Sequence, residues 1–303
     1  MVVGLGLANR DVVAVVPSWE RDEKVVASAL FEQTGGPVPV ALHAIARLGS
    51  PLPLHFLGVL GNDRDGEEIC RDLQASNIET GSCIQAPGVT TSKSLVFLDD
   101  RDGTRTLANY AEKLPPLVLS TKHEALLRRA RLLHTDGRDL PAALRAAWLV
   151  NAAGGTVSLD LGTMRPRRME LVDQCEIVIA SRKGGAGAFR DAADDPTEQV
   201  RRLLESGPRI AGVTLGPDGV VIGVRGGGIR HLPAYPVAHV RDTCGAGDTF
   251  HGAFLWAYLA GQGVFEAADF AQAAAALRIG SMGNQAGLPT HEQVHAFQTR
   301  RAG

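Results

Sequence analysis

The stretch RDTCGAGDTF, Arg241 to Phe250, places two aspartates around a run of small residues, and the chain then continues as HGAFLWAYLAG. Phe250, Ala253, Phe254, Ala257 and Tyr258 recur at helical spacing, so the second aspartate stands at the mouth of an apolar helix. Gly245, Ala246 and Gly247 carry almost no side chain. A ligand can therefore approach their backbone N–H groups, which point out of the helix N-terminus and favour an anion. Asp248 lies at the rim of that cradle, where a carboxylate can accept a proton from an attacking hydroxyl while the amides stabilise charge on a group in transfer. The plain alternative makes Asp248 a helix N-cap and Asp242 a solvated loop residue, since aspartate is among the best caps. On physical grounds alone both readings stand.

Working outward, the chain alternates short apolar runs with amphipathic segments. VVGLGL at the N-terminus reads as a strand buried on both faces. VALHAIARLG reads as a helix stopping at Gly49, LPLHFLGVLG as a strand, and DGEEICRDLQASNI as a helix with acidic residues in its first turn. The rhythm resumes after Leu126 with RLLHTDG, TVSLDLG, EIVIAS and RIAGVTLG as strands, and EAADFAQAAAALRIGS reads as a buried helix. Such alternation predicts βαβ units and a mostly parallel sheet. Two stretches break it, residues 11–36 and the hairpin-like 89–112 with its Asp102-Gly103 turn, and these are expected to join into one small sheet across the main domain.

The 303-residue chain is 45% hydrophobic and 21% charged with a net charge of -2, the balance of a globular protein rather than a disordered or membrane one. It is not basic enough to track a nucleic-acid backbone, so no nucleic-acid partner is expected. Cys70, Cys83, Cys175 and Cys244 form no C-x-x-C pair, which predicts neither a zinc site nor a disulfide framework and fits a reducing cytoplasm. No run of about 18 apolar residues occurs, so no membrane span is expected. Gly4-Leu5-Gly6 lacks the third glycine of a dinucleotide fingerprint, and no P-loop sequence is present. The run RPRR, Arg165 to Arg168, reads as a solvated loop.

The string D-T-x-G-A-G-D-x-F, Asp242 to Phe250, resembles the second signature of the ribokinase-like (PfkB-type) sugar kinases. Further matches are Asp11 after the first strand, Gly35-Gly36 followed by a helix ending in ARLG, and Gly58, Gly61, Asp63 and Gly66. VTLGPDG and GNQAGLPT also match. The resemblance implies one ribokinase-like domain over residues 1–303, a three-layer α/β/α sandwich with the small sheet as a lid. It implies ATP and Mg²⁺ as cofactors, a small sugar as substrate, and a homodimer formed through the lid. Carried over residue by residue, Asp248 becomes the general base and Gly245, Ala246 and Gly247 the anion hole. Asp11 and Gly36 would contact sugar hydroxyls. Thr214, Gly216 and Gly219 would lie by the nucleotide phosphates and ribose, with Gly247 and Gly283 also on the nucleotide side. Asp242 and the Cys244 carbonyl, with the loop around Gly283 to Gly287, become candidates for a K⁺ site.

Two departures narrow the likeness. Val40 stands where the family usually has a sugar-binding asparagine, which counts against ribose, and the usual N-x-x-E reads Ser181-Arg182-Lys183-Gly184. The chain looks most similar to the ketohexokinase and sulfofructose kinase subgroup, in which a lysine, an asparagine and an arginine hold the anionic end of the substrate. Lys24, Asn109 and Arg138 match those places. Read without the resemblance, Lys24 and Arg138 are solvated charges and Asn109 a strand residue. The expected activity is phosphorylation of a sugar hydroxyl, that of a ketohexose, with unmodified fructose, ribose, a nucleoside or a non-catalytic sensor on the same fold as alternatives.

Overall fold

Strands apolar on both sides need cover on both faces, and the valine-, isoleucine- and leucine-rich runs of this chain receive it. In the computed structural model, which describes residues 1–18, 22, 24–110 and 114–302, they form a nine-stranded sheet. Its order is Gly228–Leu232, Val220–Val224, Ile210–Thr214, Ile177–Ser181, Thr156–Leu161, Leu132–Thr135, Val2–Leu5, Leu54–Leu57, Ile78–Glu79. Pairing is parallel from Ile78–Glu79 across to Ile210–Thr214, and the last two strands join antiparallel.

Alternation along each strand splits the core in two. Val2, Phe56, Leu132 and Ile177 pack with the helices Pro37–Arg47, Ala246–Leu259 and Val264–Ile279. Val3, Leu133, Val157 and Val178 face the helices Leu140–Ala152 and Pro196–Glu205. This is the expected α/β/α arrangement. The alanine-rich helix Val264–Ile279 is buried along most of its length, as its near-uniform apolarity predicts. No helix among the described residues is long and apolar enough to cross a membrane.

A second sheet has four strands in the order Ala29–Gly35, Asn9–Val16, Lys93–Asp99, Arg105–Tyr110. It comes from the two stretches that break the βαβ rhythm; residues 19–21, 23, 111 and 112 of those stretches lie outside the described residues. Its register sets Gln33, Asp11, Ser94 and Asn109 in one row on the face that carries Val13 and Val96. The turn after Asp99 folds onto the Arg241–Thr243 segment, with Gly103 O accepting from the Thr243 N–H at 3.1 Å and its hydroxyl at 2.8 Å.

Strand Val2–Leu5 connects to one neighbour, Leu54–Leu57, while Leu132–Thr135 returns much later on its other side. The order of the sheet reverses there, and such switch points open a crevice at the carboxyl ends of the strands.

Candidate active site

Four aspartates converge at that crevice. Asp136 follows strand Leu132–Thr135 and accepts from the N–H groups of Leu7 and Arg138, both at 2.8 Å. Asp160 lies in the neighbouring strand Thr156–Leu161, Asp11 faces in from the second sheet, and Asp248 sits in the first turn of helix Ala246–Leu259. The helix begins there because Gly245 adopts φ +76, and a Cβ on it would lie 2.7 Å from Asn284 Oδ1. Glycine is required at this position for both reasons.

Among the described residues, no backbone or side-chain acceptor pairs with the N–H groups of Gly245, Gly247 or Asp248, whereas Thr249 N–H returns to Gly245 O at 2.8 Å. Gly247 has open space where a side chain would be. The result is a set of amides at a helix N-terminus with a carboxylate on the same turn. An anion fits there, and a hydroxyl attacking it would meet Asp248.

Burial, and after it charge crowding, tunes that carboxylate. Burial, and next the charge of Asp160, push the Asp248 pKa up to about 7, with Arg105 pulling the other way. Asp160 and Asp136 are raised by the same burial, partly offset at both by the Arg168 guanidinium. Asp11, raised to about 6 by burial, accepts from Asn9 and, at 3.5 Å, from Asn284. Asp160 Oδ1 lies 3.5 Å from His251 Nε2, but burial lowers that imidazole to about 4, so at neutral pH the ring carries no charge.

The second sheet completes the wall. Asn109 Oδ1 accepts from the Ser94 hydroxyl at 2.9 Å, and Asn9 donates to Ser94 Oγ at 2.7 Å and also to Asp11. Asn109 thus belongs to the same polar network as Asp11. Gly35 leaves room for the Asp11 carboxylate, which a Cβ would overlap. Gly36, with φ +104, caps helix Pro37–Arg47, and a Cβ there would strike Leu7 O. Val40 on that helix lies 3.3 Å from the Cβ position of Gly245, so the place of the usual asparagine is an apolar part of the cradle wall.

Arg138 is half-buried beside Asp136, and its guanidinium forms no hydrogen bond or ion pair with any described residue. Lys24 lies on an exposed stretch before strand Ala29–Gly35. Thr214 ends its strand, and Gly216, with φ +64, opens an exposed turn with free space where a side chain would stand. Gly219 is held against Leu232 O and the Ala234 N–H, where a Cβ would not fit. Gly283 N–H donates to Asp242 Oδ2 at 2.9 Å. Asp242 Oδ1 accepts from the Cys244 N–H at 2.7 Å, and the Cys244 carbonyl accepts from Arg278.

One expectation is overturned. Arg168, read as part of a solvated RPRR loop, is only 5% exposed; it donates to Thr163 O at 3.0 Å and stands beside Asp136 and Asp160. A buried carboxylate pair needs a cation, and Arg168 provides one. The sequence reading also missed Asp136 and Asp160, although each lies at the end of an apolar strand run, in HTDG and in LDLG, where a carboxylate is out of place unless it has a role.

Several known proteins resemble this chain over nearly its full length. The chain is 30% identical over 305 residues to an ATP-dependent ribose-1-phosphate kinase of Halopiger xanaduensis, covering 99% of this chain and 98% of that one. It is 21% identical to the ketohexokinase of Mus musculus, covering 93% and 97%. The fold superposes on Arabidopsis thaliana ribokinase complexed with ribose and ATP with a TM-score of 0.82 at 24% identity, covering 98% and 97%. The pattern described as "pfkB family carbohydrate kinase" matches residues 1–291, and this chain belongs to that family of carbohydrate kinases.

Proposed function

We propose that this carbohydrate kinase transfers the γ-phosphoryl group of Mg-ATP to a hydroxyl of a small sugar bearing an anionic substituent, with Asp248 as the general base. The observation that carries the reading is the Asp248 carboxylate, raised in pKa, on the same helical turn as the unpartnered amides of Gly245 and Gly247. A base titrating near neutrality has both the right protonation state and a useful driving force for taking the hydroxyl proton. The amides hold the oxygens of the phosphoryl group as it moves, and the metal rides on the nucleotide, bound largely by phosphate oxygens and water. Asp11 orients the acceptor sugar, and Thr214 and Gly216 border the nucleotide.

The anionic end is assigned to Arg138, with Lys24 and Asn109 as further contacts. An arginine fork with no hydrogen-bond or ion-pair partner among the described residues suits a phosphate or sulfonate. Two chemistries fit: a ketohexose such as 6-deoxy-6-sulfofructose, and a pentose phosphate such as the substrate in the name of the Halopiger relative. Arg138→Ala is expected to raise KM for the anionic sugar on the order of 10- to 100-fold, the loss of one charge-assisted contact. KM for ATP should stay near its original value in steady-state assays. An unchanged KM for the anionic sugar would remove Arg138 from the pocket.

The four-stranded sheet is proposed to act as the lid and as the contact between two copies. Leu30, Leu95 and Tyr110 share its outer face by register and are 71%, 47% and 57% exposed. An apolar face of this kind favours cover by a second copy. Light scattering is expected to give twice the chain mass, and Leu95→Asp to shift it towards one; a single-chain mass for the unmodified protein at working concentration would refute the pairing.

A further inference from the structure

Behind the phosphoryl cradle, one side chain is enclosed by oxygens. Arg278, in the last turn of helix Val264–Ile279, is fully buried. Its Nη1 donates to Asp242 O and to Ser281 O, both at 3.0 Å. Its Nη2 donates to Asp242 Oδ2 at 3.1 Å, to Asn284 Oδ1 at 3.3 Å, and to the Cys244 carbonyl. Three backbone carbonyls, a carboxylate and an amide oxygen thus converge on a single positive charge. That is the donor set a K⁺ ion would want, and it includes Asp242 and the Cys244 carbonyl, which the sequence resemblance assigns to K⁺. The ion does not fit beside the arginine: the same oxygens are already engaged, and two cations sharing one shell repel each other without water between them.

We infer that the Arg278 guanidinium is a built-in replacement for a monovalent cation, so that this kinase needs none. The consequence reaches the chemistry through short links. Asp242, paired with Arg278, fixes the Cys244 N–H and so the approach to Gly245. Asn284, the other side chain whose oxygen Arg278 engages, packs against Gly245 and donates to Asp11. Arg278 therefore acts as a positioning residue, holding the cradle and the acceptor site in register without touching either substrate.

The inference rests on the kinase reading for its activity arm and stands apart from it in a second arm. In the activity arm, turnover is compared at equal ionic strength in KCl, NaCl and choline chloride, and rates within about twofold are expected; activation of several-fold by K⁺ would overturn the inference. In the second arm, thermal unfolding of the ligand-free protein is followed across the same salts. The unmodified protein should show no shift specific to K⁺, whatever sugar it uses, and a K⁺-specific rise would overturn the inference. Arg278→Ala should lose activity and stability, regain part of both on adding guanidinium or K⁺, and become cation-dependent where the parent is not. If that variant does not fold, Arg278→Lys, which keeps the charge, should retain cation-independent stability; a Lys variant stabilised by K⁺ would contradict the assignment.

Discussion

Asp248→Asn is expected to lower turnover by about 10² to 10⁴, the range for removing a positioned general base, while leaving ATP affinity nearly unchanged. The amide is isosteric and keeps the helix start, so the cradle that would hold the nucleotide phosphates remains. The pH dependence sharpens the test. Burial and Asp160 raise the Asp248 pKa to about 7, and the base works only when deprotonated. In the parent, kcat/KM should therefore fall as pH drops below about 7, roughly tenfold per unit in the steep region. An ordinary exposed aspartate would move that limb down to about 4. The limb near 7 should vanish in Asp248→Asn; its persistence there would assign it to another group, and equal activity in the variant would end the proposed role.

Gly184→Glu, which restores the acidic residue the family usually has at this place, is expected to damage the protein rather than improve it. Ser181 caps helix Arg182–Ala188, accepting from the Gly184 N–H at 3.0 Å while its hydroxyl donates to Gly162 O at 2.7 Å. That draws the helix so close to the end of strand Thr156–Leu161 that any Cβ on Gly184 would overlap the Leu161 carbonyl oxygen. Even Gly184→Ala should cost roughly 1–3 kcal/mol or more, since the obstacle is backbone and cannot rotate away. Thermal unfolding of both variants should show a lower Tm, with Glu below Ala, and turnover should not rise. A Glu variant of parental stability and higher turnover would show that the departure at Gly184 is accidental rather than built into the packing.

The layered fold was legible because its strands are fully apolar and its helices periodic. VVGLGL reads as an interior strand from its short valine-rich run, and EAADFAQAAAALRIGS as a buried helix from its near-uniform alanine content. The small sheet was legible as an interruption of rhythm, and its Asp102-Gly103 turn from turn chemistry. Helix Arg182–Ala188 was not, because glycines at 184, 185 and 187 hide the helical signal and its support comes from the Ser181 cap and from contacts distant in sequence. The cradle was legible as a local string, since Gly245, Gly247 and Asp248 are neighbours along the chain. Arg168, Asp136, Asp160 and Arg278 each meet at least one partner distant in sequence, and nothing in a charged loop or an alanine-rich helix announces which arginine will be buried. The K⁺ assignment shows the same limit: Asp242 and Cys244 were visible in the motif, while Arg278, which engages their oxygens, lies 36 residues from the first.

The most direct test of the account is ADP formation by the purified protein with Mg-ATP, measured across fructose, 6-deoxy-6-sulfofructose, ribose 1-phosphate, ribose and nucleosides, with the products identified by mass. ADP release is expected to depend on an anionic sugar and to be matched one for one by a phosphorylated product. ADP release indifferent to added sugar, or none at all across the panel while ATP still binds, would contradict it, the second result pointing to a sensor built on a kinase fold.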